Sequence, residues 1–335
     1  MPASFIAAIF FIYATFAGFT CAPRAAESTA LERINFGFSA AGSVASAPLW
    51  MAQDSGAFKK YGFDVKLIFL AGGLSPVAVM AGEVPFALMS AGVMMPAALR
   101  GADLVMVAAL SNYLNQVLAV APEFTDVKQL KGKRIAIQRL GDLTHIAARE
   151  ALKNAGLGES DMQMQQIGGG PARFIALQTG NVQAAILTPP YSTRARKLGY
   201  RVPVNLYDLK IPFIGTGVVT TRQLVAARRP LVLNLLKAMA EGIRFYKLER
   251  DAPIKIAERH LPGAAREEIS DALDHYNRDL DDRPFPRAEG FKIALELTAQ
   301  QTPLAKGVDA ERFIDSSLLR ELERGGFFTV PGGGK

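Results

Sequence analysis

The sequence predicts an α/β protein of two Rossmann-like lobes joined by a hinge that the chain crosses twice. Three observations lead there. GGLSPVAVMAGEVPFALMS (Gly72 to Ser90) and GPARFIALQTGNVQAAILT (Gly170 to Thr188) each read as a Gly-rich turn, an amphipathic helix, a Gly stop and a buried apolar strand ending on a hydroxyl. Gly72 pairs with Gly170, Gly82 with Gly180, Val84 with Val182 and Ser90 with Thr188, all at an offset of 98 residues. A single repeat of that length marks two similar domains rather than a solenoid. Each unit also sits in a strand–helix–strand order, which implies a parallel sheet with helices on both faces. Finally, Ile211 to Thr221 (IPFIGTGVVTT) reads as a strand returning to the first lobe. Two crossings confine the motion to opening and closing.

The elements follow in order. Leu31 to Phe38 alternates as a strand and ends in the small-residue loop Ser39 to Ser43. Ser46 and Pro48 read as an N-cap and an early helical proline, with the helix running through Trp50 and Met51 to Gly56. Phe63 to Leu70 and Leu104 to Leu110 are strands, and Gln116 to Val120 is a strand leaving the lobe. Lys133 to Gln138 opens the second sheet. The turn Gly141-Asp142-Leu143-Thr144 starts a helix that ends at Asn154, before Gly156. Gln163 to Ile167, the second repeat and Val202 to Leu206 complete that lobe. From Pro230 onward the pattern is helical: Leu231 to Leu248, Ala252 to His260, Ala265 to Asn277 and Pro286 to Gln301, expected on the outside. Lobe one is thus expected at 31–117 and 213–262, lobe two at 118–212, C-terminal helices packed on the lobes at 263–330, and a disordered tail at 331–335.

The 335 residues, 50% hydrophobic and 21% charged, suit two globular domains plus a terminal extension. The net charge of +7 is dispersed, with no Lys/Arg run interleaved with aromatics, so nucleic acid is not an expected partner. Phe5 to Phe19 is uncharged, has the length of a signal-peptide core and is short for a spanning helix. Residues 1–26 are therefore expected to be a signal peptide. The first charged side chain is Arg24, so a positive n-region is missing and a membrane-anchored sensor stays open as an alternative. Cys21, the only cysteine, fits a lipoprotein cleavage box poorly and is expected to leave with the signal. No thiol follows it, which excludes disulfides, thiolate nucleophiles and Cys-ligated metal. His145, His260 and His275 share no metal-ligand spacing, and no dinucleotide, P-loop or nucleophile-elbow motif occurs. No metal, cofactor or catalysis is expected.

In open parallel sheets, ligands sit beyond the carboxyl ends of the strands, at helix N-termini. That rule selects Ser43, Ser46, Ser90, Ala91, Asn112 and Tyr113 from lobe one. From lobe two it selects Arg139, Gly141, Asp142, Thr144, Thr188 and Tyr191, and the return strand adds Phe213 and Thr216. Ser43 and Ser46 suit a helix cap and a ligand contact equally. Ser90 and Thr188 end apolar strands, where hydroxyls often bond the local backbone, but their symmetric recurrence favours a shared cleft. Arg139 suits open surface as well as a charge-assisted bond to an anionic ligand. Asp142 reads as a helix cap; its carboxylate would then occupy the positive helix end and weaken the case for a sulfonate or phosphate there. Tyr191 and Trp50 suit ring stacking and ordinary packing.

Ala47-Pro48, Ala52, Gly56-Ala57-Phe58, Gly62-Phe63, Val65 and Gly72-Gly73 resemble the opening domain of periplasmic solute-binding proteins, in the branch that binds alkanesulfonates and thiamine-pyrimidine precursors. GKRIAIQRLGDLTHIAAREALKNAGL and QIGGGPARFIALQTGNVQAAILTPPYSTRARKLGYRV resemble the second domain of that branch, and IPFIGTGVVTTR its return segment. The resemblance covers Ile34 to Leu261, with a weaker echo to Leu322. It implies the type II periplasmic binding protein fold and a monomer that captures a small molecule and delivers it to an ABC permease with its ATPase. It also implies that the loop after the first strand, Ser90 and the turns 141–144 and 188–191 line the cleft. The turn at Gly141 is Ser-rich in many relatives and carries Asp142 and Leu143 here, which counts against a sulfonate. A planar, weakly anionic aromatic acid or a pyrimidine-like heterocycle is the expected ligand. The cysteine cluster of related eukaryotic pyrimidine synthases is missing and no cleft candidate is a lysine, both of which count against a pyridoxal-phosphate enzyme.

Overall fold

A computed structural model describes residues 30–39, 43–70 and 73–329. The expected signal segment, Cys21, Gly72 and the tail 331–335 lie outside the described residues. The chain begins with β1 (Glu32–Phe38), α1 (Ala47–Asp54), α2 (Ala57–Lys60), β2 (Phe63–Phe69), α3 (Ser75–Met80), β3 (Phe86–Met89), α4 (Ala91–Leu99) and β4 (Leu104–Tyr113). It crosses into β5 (Val117–Val120), β6 (Arg134–Ile137), α5 (Leu143–Asn154), β7 (Gln163–Gln166), α6 (Gly170–Gln178), β8 (Ala184–Leu187), α7 (Tyr191–Lys197) and β9 (Arg201–Asn205). It returns in β10 (Pro212–Thr221) and ends with α8 (Arg222–Ala227), α9 (Arg229–Leu248), α10 (Asp251–His260), α11 (Arg266–Asn277), α12 (Glu289–Gln301) and α13 (Ser317–Arg324).

The doubling is visible in the sheets. One has the order β2-β1-β3-β10-β4 and the other β7-β6-β8-β5-β9. With β6, β7, β8 and β9 matched to β1, β2, β3 and β4, the two orders are the same, and each sheet takes its fourth strand from a crossing. Gly82 and Gly180, paired by the repeat, both hold φ near +75° (76° and 72°) where their helices stop, a conformation that favours glycine. As the strand–helix–strand order implies, β1–β4 run parallel to one another and so do β6–β9; the crossing strands do not. β10 runs antiparallel to β3 and β4, and β5 antiparallel to β8 and β9. A helical crossover brings a strand back parallel; these two strands arrive through the hinge, so the crossing sets their direction. The sequence reading names no element between Ser90 and Leu104, where the structure has α4.

The hinge is compact. The Leu114 N–H donates to the Ile211 carbonyl at 3.0 Å, tying the outgoing crossing to the returning one, and the Leu206 N–H donates to Gln116 at 3.0 Å. In lobe one, α9 carries Leu231, Leu235, Met239, Gly242, Ile243 and Tyr246 on its buried face, the spacing of an amphipathic helix. It lies so close to α1 that a Cβ on Gly242 would stand 2.7 Å from the Pro48 carbonyl and the Ala52 side chain. α11 behaves differently from an outer helix. It packs on α10 and reaches lobe two, where Glu268 takes Arg194 in two bonds of 3.0 and 2.5 Å and Glu267 takes Lys197 at 2.7 Å. Among the described residues, no helix is long and apolar enough to cross a membrane.

Candidate functional site: the interlobe cleft

Lobe one builds its rim from the ends of β1, β3 and β4. Ser43 Oγ accepts from the Ala45 N–H at 3.3 Å and opens a 3-10 turn, Val44–Ser46, that runs into α1. The expected side-chain cap by Ser46 is therefore not made. The preceding turn moves the first free N–H groups back to Ser43, and Ser46 is fully buried with no partner for its hydroxyl among the described residues. Ser90 Oγ accepts from the Val93 N–H at 3.3 Å and caps α4, and Ala91 is fully buried beside it. Asn112 and Tyr113 end β4 at the hinge. Tyr113 donates its N–H to Asp279 Oδ2 at 3.4 Å, and its hydroxyl accepts from Arg287 at 3.3 Å. Phe213 is fully buried and Thr216 half-buried in β10. Trp50 takes the packing alternative: it is buried and stacked on His260, with ring centres 4.4 Å apart.

Lobe two faces this rim. Asp142 caps α5, its Oδ1 accepting from the Thr144 N–H (2.8 Å), the Thr144 hydroxyl (2.7 Å) and the His145 N–H (3.1 Å). Thr144 Oγ1 in turn accepts from the Gln138 N–H at 2.7 Å. The lobes touch at three places where one side is glycine. A Cβ on Gly92 would lie 2.9 Å from the Gly141 carbonyl and 3.3 Å from Ile146. One on Gly73 would lie 2.5 Å from the Arg139 guanidinium, and one on Gly215 3.4 Å from Leu143. The structure thus brings Gly92, in the first turn of the helix that Ser90 caps, to Gly141, and Arg139 to lobe one.

Beside these contacts stands a residue that the sequence reading left on an outer helix. The Tyr276 hydroxyl, from α11, lies 3.4 Å from Ser43 Oγ and also meets the Thr188 hydroxyl, so it joins the two rims. Burial pushes its pKa up. A cavity of about 10 Å³, room for one water, adjoins it between Val44, Pro48, Ser111, Thr216 and Tyr246. Three residues further on, Asp279 is buried against the hinge. Burial pushes its pKa up to about 6, although Ser111 and the Tyr113 and Asn112 N–H groups stabilise its charge. His275, also buried, donates from Nε2 to the Asn115 carbonyl at 2.6 Å in the first crossing.

Arg173 was also missed. It is 5% exposed, on the inner face of α6. Its Nε donates to the Ile186 carbonyl at 2.8 Å, and Nη1 donates to Gly168. Burial lowers its pKa to about 10, while Asp142 and Tyr276 act in the other direction. Tyr191 and Arg173 both approach Gly170, where a Cβ would lie 3.0 Å from the Tyr191 ring and 4.0 Å from Arg173 Nη2. A sequence signal existed: Arg173 shares the apolar helix face of Phe174 and Leu177, an odd place for a cation. Among the described residues, no group of His, Cys, Asp and Glu is arranged to hold a metal ion.

Comparisons with known proteins agree with this architecture. A protein of Bordetella bronchiseptica RB50 superposes with a TM-score of 0.74 at 20% identity, covering 87% of this chain and 97% of that one. The periplasmic aliphatic sulphonate binding protein SsuA of Escherichia coli gives 0.69 at 23% identity, over 85% and 92%. The periplasmic nitrate-binding protein NrtA of Synechocystis PCC 6803 gives 0.72 at 15% identity, over 88% and 89%. These likenesses establish the two-lobed type II periplasmic binding protein fold. A search of curated proteins finds no match in sequence. The NMT1/THI5-like family matches residues 43–249, more than half of the chain, and the chain belongs to that family.

Proposed function

We propose that the chain is the extracytoplasmic solute-binding component of an ABC importer, not an enzyme, and that it acts as a periplasmic monomer. It captures a small organic molecule between residues 31–117 plus 213–262 (lobe one) and residues 118–212 (lobe two), and hands it to a permease coupled to an ATPase. The observation that carries this reading is the meeting of the two rims at Gly92 and Gly141 and around the Tyr276 hydroxyl. A solute contacted by both rims stabilises the closed arrangement, whereas one held by a single lobe leaves the opening equilibrium where it was. Ser43, Ser90, Asn112, Tyr113, Arg139, Asp142, Thr144, Thr188, Tyr191 and Thr216 are the proposed lining. Two structural relatives are named for sulphonate and nitrate binding, both small anions, and an aromatic acid, a sulfonate or a pyrimidine-like heterocycle is the proposed class of ligand.

A thermal-shift panel of organic acids, sulfonates, heterocycles and vitamins tests this. A ligand at roughly a thousand times its Kd stabilises the folded chain by about 4 kcal/mol, enough to move Tm by several degrees. At least one compound is expected to do so. A panel without any binder contradicts the reading.

A further inference from the structure

We infer that Arg173 is the anchor for an oxyanion, a carboxylate or a sulfonate, on the solute held in the cleft; the inference rests on the solute-binding reading. The guanidinium has five donors in a fixed fork. Nε and Nη1 are held by the Ile186 and Gly168 carbonyls, and among the described residues no acceptor takes Nη2. Among the described residues, no carboxylate pairs with this buried cation within salt-bridge distance, although many other arginines form ion pairs. A cation this deep is costly unless something compensates it.

The Asp142 carboxylate acts on Arg173 without bonding it and is itself held in the cap of α5, so a negative charge on the solute would find the guanidinium available. The Tyr191 ring, which like Arg173 Nη2 approaches Gly170, supplies a flat apolar surface nearby. The hydroxyls of Tyr276, Ser43 and Thr188 supply neutral hydrogen-bonding groups. Since Nε and one N–H of Nη1 are fixed by the backbone, the remaining donors on Nη1 and Nη2 are pre-oriented, which reduces the ordering cost of binding. A carboxylate and a sulfonate present the same oxygens to these donors, so the two are separated by measurement.

The experiment measures Kd by titration calorimetry for the full chain with benzoate and benzenesulfonate, with their neutral counterparts benzamide and benzenesulfonamide, and with the acids and heterocycles of the thermal-shift panel. Anions are expected to bind at least 10-fold tighter than the matched amides, and the stronger of the two acids names the head group. Arg173→Gln is expected to weaken anion binding roughly 10- to 100-fold, since bonds to charged groups fall in that range, and to leave the amides within about threefold. Arg173→Lys is expected to restore part of the loss. Because Arg173 also ties α6 to β8, its loss can unfold the lobe. Asp142→Asn avoids this, as asparagine caps helices well. Removing that carboxylate is expected to tighten anions severalfold relative to their matched amides. Amides that bind as tightly as their acids, or variants that shift acid and amide alike, overturn the inference. A panel in which only neutral heterocycles bind overturns it and leaves the solute-binding reading standing. A panel in which nothing binds defeats that reading and the inference with it.

Discussion

Asp279 is held where burial opposes its charge, so its protonation couples folding to pH. Its folded pKa, about 6, lies above the ordinary aspartate value of 3.8, so the native state holds a proton that the unfolded chain releases. Stability from this group is complete below about pH 4 and is lost as pH rises through 6. His275 works the other way. Burial lowers its pKa, so its contribution is present above the ordinary value of 6.5 and is lost as pH falls. Asp279→Asn is therefore expected to stabilise the chain at pH 7.5 by an amount on the order of 2 kcal/mol and to give no gain at pH 4, as read by urea unfolding. A gain of the same size at both pH values contradicts the assignment. Gly92→Ala places a methyl group 2.9 Å from the Gly141 carbonyl. It is expected to weaken solute binding about 10-fold, an overpacking cost of 1–3 kcal/mol, with little change in unfolding midpoint. How far such residues could be read from the sequence follows from their setting. Ser90 and Asp142 stand beside strand ends and helix starts, where spacing alone points to them. Arg173 is marked only by a charge on an apolar helix face. Tyr276 and Asp279 carry no local mark, because their partners lie far away in the sequence.

At the scale of elements, the repeat at 98 residues was legible because glycine stops and apolar strands leave a pattern that needs no tertiary knowledge. The direction of β5 and β10 was not. Val117–Val120 and Pro212–Thr221 are buried strands whichever way they point, and only the path through the hinge turns them. The same limit hid the role of α11. Its amphipathic pattern says that one face is covered, not that the cover comes from both lobes. Glu268, buried at 6% exposure, accepts from Arg194 of lobe two and from the Ala265 N–H at its own helix start. Glu268→Ala removes all three bonds and is expected to cost about 2 kcal/mol. It should also speed amide exchange across Arg266–Asn277 more than across α9. Unchanged exchange there would mean that α11 is held by its apolar face alone.

At the scale of the molecule, two copies of one α/β plan form the sheets, each lending a strand to the other, and the C-terminal helices pack on them. Under the proposed function, closing would be a rigid rotation about two short crossings linked by the Leu114–Ile211 bond. Val77 and Ile175 occupy equivalent places on α3 and α6, one per lobe, and are 66% and 57% exposed. Spin labels on Val77→Cys and Ile175→Cys, in a Cys21→Ser background, report the separation of the lobes without touching the cleft. The account expects a distance distribution that shifts to its shorter component and narrows as a binder from the panel is titrated to saturation. A distribution that stays unchanged at saturation contradicts closure on the solute.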